Sequence, residues 1–322
     1  MAAPGSDLNA PARPSGPTPG RGRWLRAAGI VVGLLAVGFC GWTLIAEWST
    51  VRAAVSAADP AVVTAAAVGG LAGTICVAEQ WRWVLGALGA PTGRRRAWTW
   101  FFAGELGKYV PGGVWAVVGR GELAHRGGVP RAVAYPATLL SLGVFCLSGG
   151  IGWAALYPFT GPARWWTVLL IPVLLTVVHP AVLRPVFAIL GRVSRGRLIV
   201  PVLPWPRMLG LVGVTLPGWL LLGATSALVA GSLGLTADPV AVAGAAIAAW
   251  VVGVLVPVPA GAGIREVAFA VGSGLPAGPA VLVAALARVV FVVVDLATGL
   301  LALTLLRRTG APPRPVVPAP PG

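Results

Sequence analysis

Two apolar stretches of the sequence are interrupted by proline and glycine, and charged residues flank both interruptions. The first runs from Gly104 to Arg120 and contains Lys108, the only lysine in the chain. The second runs from Val256 to Glu266. Breaks at corresponding places in the two halves of a very apolar chain are typical of a substrate site near the middle of a membrane. The half-helices that start after such breaks present free N–H groups and positive dipole ends, which attract anions.

The charged residues at the breaks are suited to a lipid phosphate. Lys108 and Arg120 at the first break and Arg265 at the second would bind phosphate oxygens, the arginines bidentately and the lysine as a point charge. Glu105 and Glu266 could then receive an ammonium group or exchange a proton. The other members of the predicted substrate-binding set lie in or beside the breaks: Tyr109, Pro111, Gly112, Pro259, Gly261 and Gly263.

A purely structural role for these charges is the alternative. Glu105 and Lys108 have the i,i+3 spacing at which helical side chains pair with each other. Arg265 and Glu266 are adjacent, so their side chains point apart and each needs a partner elsewhere.

Two further charges lie in the last apolar segment. Arg288 and Asp295 are seven residues apart, which places them on one face of a helix about two turns apart. A charge in the middle of a membrane helix costs roughly 2.5–3.5 kcal/mol on insertion scales, so each one needs a reason. We expect structural ion pairs to neighbouring helices, with Glu105 or Arg265 as candidate partners.

Sequence motifs of known enzymes are absent. The chain has no HExxH, no GxSxG with a histidine partner and no phosphate-binding P-loop. Its two lone histidines and its three cysteines, which lie within apolar segments, do not have the spacing of a metal site. Neither a metal nor a cofactor is therefore predicted.

The composition is that of a membrane protein. The chain is 57% hydrophobic and 10% charged, with a mean hydropathy of +0.86, whereas soluble domains carry roughly 25% charged residues. Because backbone exposed to lipid must satisfy its own hydrogen bonds, we predict an all-α bundle of transmembrane helices. The candidate spans are 27–45, 61–79, 135–158, 165–183, 208–232, 240–256 and 278–306.

The distribution of arginine predicts the topology. The net charge of +15 lies in clusters between apolar spans, which is typical of orientation signals and not of a nucleic-acid partner. Both termini are predicted to be cytoplasmic, with disordered tails at 1–26 and 309–322 around a transmembrane domain at 27–308. This orientation requires 240–275 to be a re-entrant hairpin, and by the same logic 98–119 is a second hairpin that enters from the opposite side.

The predicted bundle therefore has about six full spans and two opposed broken hairpins, an arrangement that suggests an inverted repeat. A helix lying flat on the inner surface is the alternative for 98–119. A full span kinked by proline is the alternative for 240–275.

Both breaks resemble hallmarks of the membrane region of lysylphosphatidylglycerol synthases, also called the flippase-like family. Gly107–Trp115 followed by Arg120 resembles the first hallmark, and Val256–Glu266 resembles the second, a Pro-Gly-Gly-x-Gly-x-x-Glu element. Ala260 stands where that element usually has glycine. The resemblance spans roughly residues 25–308, and the two motifs together, in this order, are fairly specific.

The resemblance implies lipid translocation. In full-length synthases a cytoplasmic aminoacyl-transferase domain attaches lysine to phosphatidylglycerol, and the membrane region moves the product outward. This chain stops at residue 322 and has no such domain, so the resemblance implies a translocase and not an enzyme. The expected substrate is an anionic or aminoacylated phospholipid, or a polyprenyl-linked lipid. The usage of alanine, glycine, arginine and proline suggests a bacterium, and hence a bacterial plasma membrane.

Two other functions remain open. The chain could be a non-transporting partner that anchors a glycosyltransferase or a lipid synthase through its basic loops, 80–134 and 184–207. It could also be a membrane enzyme that acts on a lipid phosphate, with Glu105 or Glu266 as the base. Co-purification with such a partner, or lipid turnover by the purified protein alone, would distinguish these functions from translocation.

Overall fold

The computed structural model describes residues 52, 56, 59–109, 115–193, 195–196, 200–255 and 264–308. This part of the chain is built from helices and contains no strand, which confirms the all-α prediction. The predicted span at 27–45 and both predicted tails lie outside the described residues, as do the central residues of both breaks.

The described helices are, in chain order, α1 Pro60–Ala87, α2 Arg94–Glu105, α3 Trp115–Arg126, α4 Arg131–Leu156, α5 Leu170–Val177, α6 Pro180–Val193, α7 Trp205–Ser232, α8 Pro239–Leu255, α9 Ile264–Ser273 and α10 Ala277–Arg308. Short 3-10 helices lie at Leu106–Tyr109, Tyr157–Thr160 and Pro162–Leu169.

Four helices, α1, α4, α7 and α10, are long and apolar enough to cross a membrane. They confirm the predicted spans at 61–79, 135–158, 208–232 and 278–306. The predicted span at 165–183 is bent, because residues 163–177 and α6 meet at an angle of 58°. Pro180 explains the bend, since proline cannot donate a backbone hydrogen bond and disfavours helical geometry in the residue before it.

The helices α2 and α3 form the first hairpin. A Cβ atom at Gly104 would lie 2.5 Å from the side chain of Arg120, and one at Gly107 would lie 2.7 Å from the backbone of Trp115. Only glycine allows the helices to approach this closely. The contacts also show that the helices run antiparallel, because positions later in α2 and its 3-10 extension meet positions earlier in α3.

The helices α8 and α9 form the second hairpin in the same way. Arg265 at the start of α9 lies over the ring of Trp250 near the end of α8. Further from the break, a Cβ atom at Gly272 would lie 3.1 Å from that of Ala245. These helices are therefore antiparallel as well, and α8, with 17 residues, is shorter than the four spanning helices.

The bases of the two hairpins lie beside opposite ends of α10. Trp100 and Phe101 of the first hairpin share a buried cluster with Ala302, in the C-terminal half of α10. Phe269 of the second hairpin shares a different buried cluster with Ala280, near the N-terminus of α10.

The tips of both hairpins reach the middle of α10. Leu106 of the first hairpin packs against Gly299, and Glu266 of the second pairs with Arg288. The hairpins thus approach one spanning helix from opposite ends, as predicted for two opposed broken hairpins. The depth that the first one reaches favours the re-entrant prediction for 98–119 over the surface helix.

The packing has an internal two-fold relation. Helices α1–α4 and α7–α10 repeat the order of span, hairpin and span. The span α4 packs on α3 and on α8 of the other unit, just as α10 packs on α9 and on α2.

The centre of this relation is the crossing of α1 and α7. A Cβ atom at Gly73 would lie 3.1 Å from the carbonyl oxygen of Gly218, and one at Gly218 would lie 3.2 Å from that of Gly73. A reciprocal contact of this kind marks a two-fold axis, so the packing is that of an inverted repeat.

The close crossing leads to a stability prediction. Gly218→Ala would place a Cβ atom 2.9 Å from that of Cys76, and overpacking of this kind costs roughly 1–3 kcal/mol. We expect a lower Tm for the detergent-purified variant. The control is Gly213→Ala in the same helix, which has nothing within 4 Å and should be neutral or stabilising by up to about 1 kcal/mol. Equal Tm values for the two variants would contradict the crossing.

Candidate functional site

The first hairpin is anchored to α10 by Lys108 and Tyr109. The Nζ atom of Lys108 lies 2.7 Å from Oδ2 of Asp295 and 3.3 Å from Oε2 of Glu105. The hydroxyl of Tyr109 donates a hydrogen bond of 2.5 Å to the same oxygen of Asp295. The single lysine of the chain thus lies between two carboxylates, one from its own hairpin and one from the spanning helix.

Arg120, which lies on α3, joins the group of charges formed by Glu105, Lys108 and Asp295. Its guanidinium lies 3.0 Å from Oε1 of Glu105 and 4.7 Å from the centroid of the Phe101 ring. Each oxygen of Glu105 therefore faces a different cation. The missing side chain at Gly104 is what allows Arg120 to approach α2 this closely.

The second hairpin is anchored to α10 by an ion pair. The carboxylate of Glu266 accepts a hydrogen bond of 2.8 Å from Arg288 through its Oε1 atom. Its Oε2 atom is buried and has no hydrogen-bond partner among the described residues. Within the described part of the chain, this oxygen is therefore an unsatisfied acceptor.

Arg265 differs from the other cations of the site. Its guanidinium carbon lies 3.6 Å from the centroid of the Trp250 ring, and no carboxylate in the described part of the chain lies within ion-pair distance of it. The Nζ atom of Lys108 lies 5.6 Å from the centroid of the same indole. Cations from both hairpins therefore share one aromatic ring, to which each is attracted.

A small pocket lies between the second hairpin and α10. Its walls include Trp250, Arg265, Glu266, Arg288 and Phe291, and its volume is about 30 Å³. That is room for a water molecule or two and far less than a lipid headgroup occupies. This pocket therefore does not hold a headgroup in the state that the structure describes.

The structure brings together the predicted charged residues of both breaks. The predicted pair of Glu105 and Lys108 is confirmed. Arg288 and Asp295 do form ion pairs with neighbouring elements, but their partners are Glu266 and Lys108 instead of Glu105 or Arg265. The remaining predicted site residues lie outside the described part of the chain, and their role stays a prediction: Pro111, Gly112, Pro259, Gly261 and Gly263.

Sequence reasoning missed Trp250, which touches charges of both hairpins. Most tryptophans of the chain flank apolar spans, where they are typical interfacial anchors. Trp250 instead lies within the run 239–255, six residues before the second break begins at Val256. That interior position is the signal that could have identified it.

Comparison with known families supports the resemblance seen in the motifs. The family model described as the lysylphosphatidylglycerol synthase TM region matches residues 27–299. The matched range contains both hairpins and the charged middle of α10. No curated protein gives a significant match to the chain.

The ion pair at the second tip can be tested by a double-mutant cycle. Arg288→Gln leaves the carboxylate of Glu266 without its cation, and loss of a charge-assisted hydrogen bond costs roughly 1.5–3 kcal/mol. We expect a lower Tm for this variant. The double variant Glu266→Gln/Arg288→Gln buries no unpaired charge and should recover much of the loss. A double variant less stable than Arg288→Gln would contradict the pairing.

Proposed function

The chain belongs to the lysylphosphatidylglycerol synthase TM region family, and on that premise we propose that it translocates a lipid with an anionic headgroup between the leaflets of a bacterial plasma membrane. The observation that carries the proposal is the meeting of two opposed hairpins at the charged middle of α10. Discontinuous helices that meet near the midplane are typical of transporter binding sites.

The energetics of the buried charges support a role in ligand recognition. Replacing a buried ion pair by well-packed apolar residues is often neutral or stabilising. The stability of the fold therefore does not explain why these positions are charged. Ionisable groups inside a membrane usually mark the path of a substrate or an ion. The charges here converge from α2, α3, α9 and α10 on the two hairpin tips.

The ion pairs provide a route for a phosphate through the site. The headgroup would enter between the hairpin tips while the acyl chains stay in the bilayer. As the tips part, Lys108 and Arg120 exchange the carboxylate of Glu105 for phosphate oxygens, and they return to it when the lipid leaves. Lys108 and Arg120 thus keep an anionic partner before and after the exchange, which avoids the cost of leaving these two buried cations unpaired. The sequence has no nucleotide-binding motif, so a gradient or mass action would drive the movement.

A second role, as a membrane partner of a glycosyltransferase or lipid synthase, is favoured by the exposed arginines near the base of the first hairpin. The side chains of Arg94, Arg126 and Arg131 are 66%, 59% and 67% exposed. Co-purification tests whether such an enzyme binds through these arginines. If the Lys108→Gln and Arg265→Gln variants still co-purify with the enzyme, docking is separate from translocation.

Translocation can be measured as leaflet exchange of fluorescent anionic phospholipids in liposomes that contain the purified protein. We expect Lys108→Gln and Arg265→Gln to slow exchange by at least roughly tenfold, the equivalent of one charge-assisted hydrogen bond. The matched control is Arg184→Gln, an exposed arginine of α6, which should exchange lipid at the wild-type rate. Wild-type exchange rates in all three variants would contradict the proposal that Lys108 and Arg265 belong to the translocation site.

Movement of the first hairpin can be tested by a reversible crosslink. A Cβ atom at Gly299 would lie 2.6 Å from the Leu106 side chain, so cysteines at these two positions are close enough for a disulfide. The chain's own cysteines, Cys40, Cys76 and Cys146, would first be replaced by alanine. Oxidation should stop exchange and reduction should restore it. Undiminished exchange by the crosslinked protein would contradict movement of this tip.

A further inference from the structure

The helix α6 follows the bend at Pro180 and has two apolar faces. One face packs against a buried cluster of the bundle and is formed by Leu183, Phe187 and Leu190. The other face is exposed, and its residues have the i, i+4, i+7 and i+11 spacing of a single helical stripe: Val182, Val186, Ile189 and Val193. Half of the apolar surface of α6 is therefore not covered by the described part of the chain.

A third face of α6 is cationic. Helical periodicity places Arg184 opposite the exposed apolar stripe and Arg192 opposite the buried one. Both arginines are exposed, as is Arg195 in the turn that follows the helix. The arginines therefore point away from the apolar faces.

These arginines have no ion pair with a carboxylate of the described residues. The chain has nine acidic residues, and none lies between Glu122 and Asp238. Two of the nine, Asp7 and Glu47, lie outside the described residues. The cationic face of α6 thus has no acidic neighbour in its own part of the sequence.

The segment before the bend is long enough to cross the membrane without α6. Residues 162–177 rise about 28 Å, at ~2.0 Å per residue of 3-10 helix and ~1.5 Å per residue of α-helix, and the hydrocarbon core is ~30 Å thick. Exposed Trp165 and Trp166 lie near its start, and His179, just after its end, packs against Trp205. Because tryptophans are typical of both membrane interfaces, α6 begins at an interface and turns away by 58°.

The two exposed faces of α6 select a position at that interface. Arg184 lies about one turn after the bend, and an exposed arginine without a counter-ion is unfavourable in hydrocarbon. The exposed apolar stripe is equally unfavourable in water. At a membrane surface the stripe can lie among the acyl chains while the arginines stay at the level of the headgroups.

We propose that α6 is a docking surface for an anionic membrane leaflet. The stripe that contains Val186 inserts just below the headgroups, and Arg184, Arg192 and Arg195 attract anionic lipids by their charge. The distribution of arginine in the sequence predicts that this side is cytoplasmic, and the cytoplasmic leaflet is the one with a negative surface potential. This surface is separate from the hairpin tips and does not depend on translocation.

Fluorescence quenching tests both the depth of α6 and the lipids around it. A full-length protein without its native cysteines carries Val186→Cys, or Val293→Cys as a control, labelled with a fluorophore. Val293 is exposed in the middle of the spanning helix α10. The vesicles contain phosphatidylcholine and phosphatidylserine in a three-to-one mixture. Nitroxide quenchers are attached to the acyl chains of either lipid, near the headgroup or near the chain end.

At Val186 we expect the nitroxide near the headgroup to quench more than the one near the chain end. Phosphatidylserine should quench at least ~twofold more than phosphatidylcholine, because arginines near the surface concentrate anionic lipid around them. Salt should weaken this preference by screening. Phosphatidylglycerol in place of phosphatidylserine should give the same preference, since the attraction depends on charge alone.

Two controls separate the charge effect from the position of the label. The triple variant Arg184→Gln/Arg192→Gln/Arg195→Gln should quench equally with both lipids and keep the wild-type Tm, because these exposed side chains have no ion pair in the described part of the chain. At Val293 the nitroxide near the chain end should quench more, and the two lipids should quench equally.

Three results would overturn the inference. Stronger quenching of Val186 by the nitroxide near the chain end would place α6 in the hydrocarbon, as the second half of a bent span. No quenching would place α6 in water, where a protein partner could cover it. Equal quenching by both lipids, or a preference for phosphatidylglycerol alone, would exclude a surface that responds to charge. None of these results affects lipid exchange, whose test depends on Lys108 and Arg265.

Discussion

The two charges in the middle of α10 determine where both hairpins end. Asp295 and Arg288 lie seven residues apart, about 10 Å along the helix, in a segment that is otherwise apolar. Apolar surroundings cannot hydrate them, so each needs a partner of opposite charge. Lys108 and Glu266 at the two hairpin tips are those partners. The breaks place charged residues at the hairpin tips, beside the spanning helix α10. In the first hairpin, Gly104 and Gly107 allow α2 and α3 to approach each other closely.

Much of this arrangement could be predicted from the sequence. Hydropathy identified the long spans, and the conflict between arginine positions and span count required two hairpins. The spacing of Arg288 and Asp295 placed both on one helix face, because helical periodicity is a local property. The i,i+3 pair of Glu105 and Lys108 followed from the same local geometry. Periodicity and charge thus predicted the helical architecture and the charged residues that meet at the hairpin tips.

The pairing partners could not be predicted, because they depend on which helices become neighbours. Asp295 pairs with a residue 187 positions earlier, and nothing in either segment specifies that contact. The role of Trp250 could not be predicted for the same reason. Its ring contacts a cation from each hairpin only after both hairpins have packed together. The bend before Pro180 was also missed, although proline there gives a local reason for it.

The reciprocal contact of Gly73 and Gly218 bears on how such a chain could arise. Two separate copies of a half-length ancestor, inserted in opposite directions, would form the same contact as a dimer. Duplication and fusion of its gene would join the copies and free each half to diverge. The two halves do differ in charge, because α10 contains Arg288 and Asp295 whereas residues 132–156 of α4 contain no charged residue. The two halves therefore differ in their buried charges, an asymmetry that a dimer of identical copies cannot have.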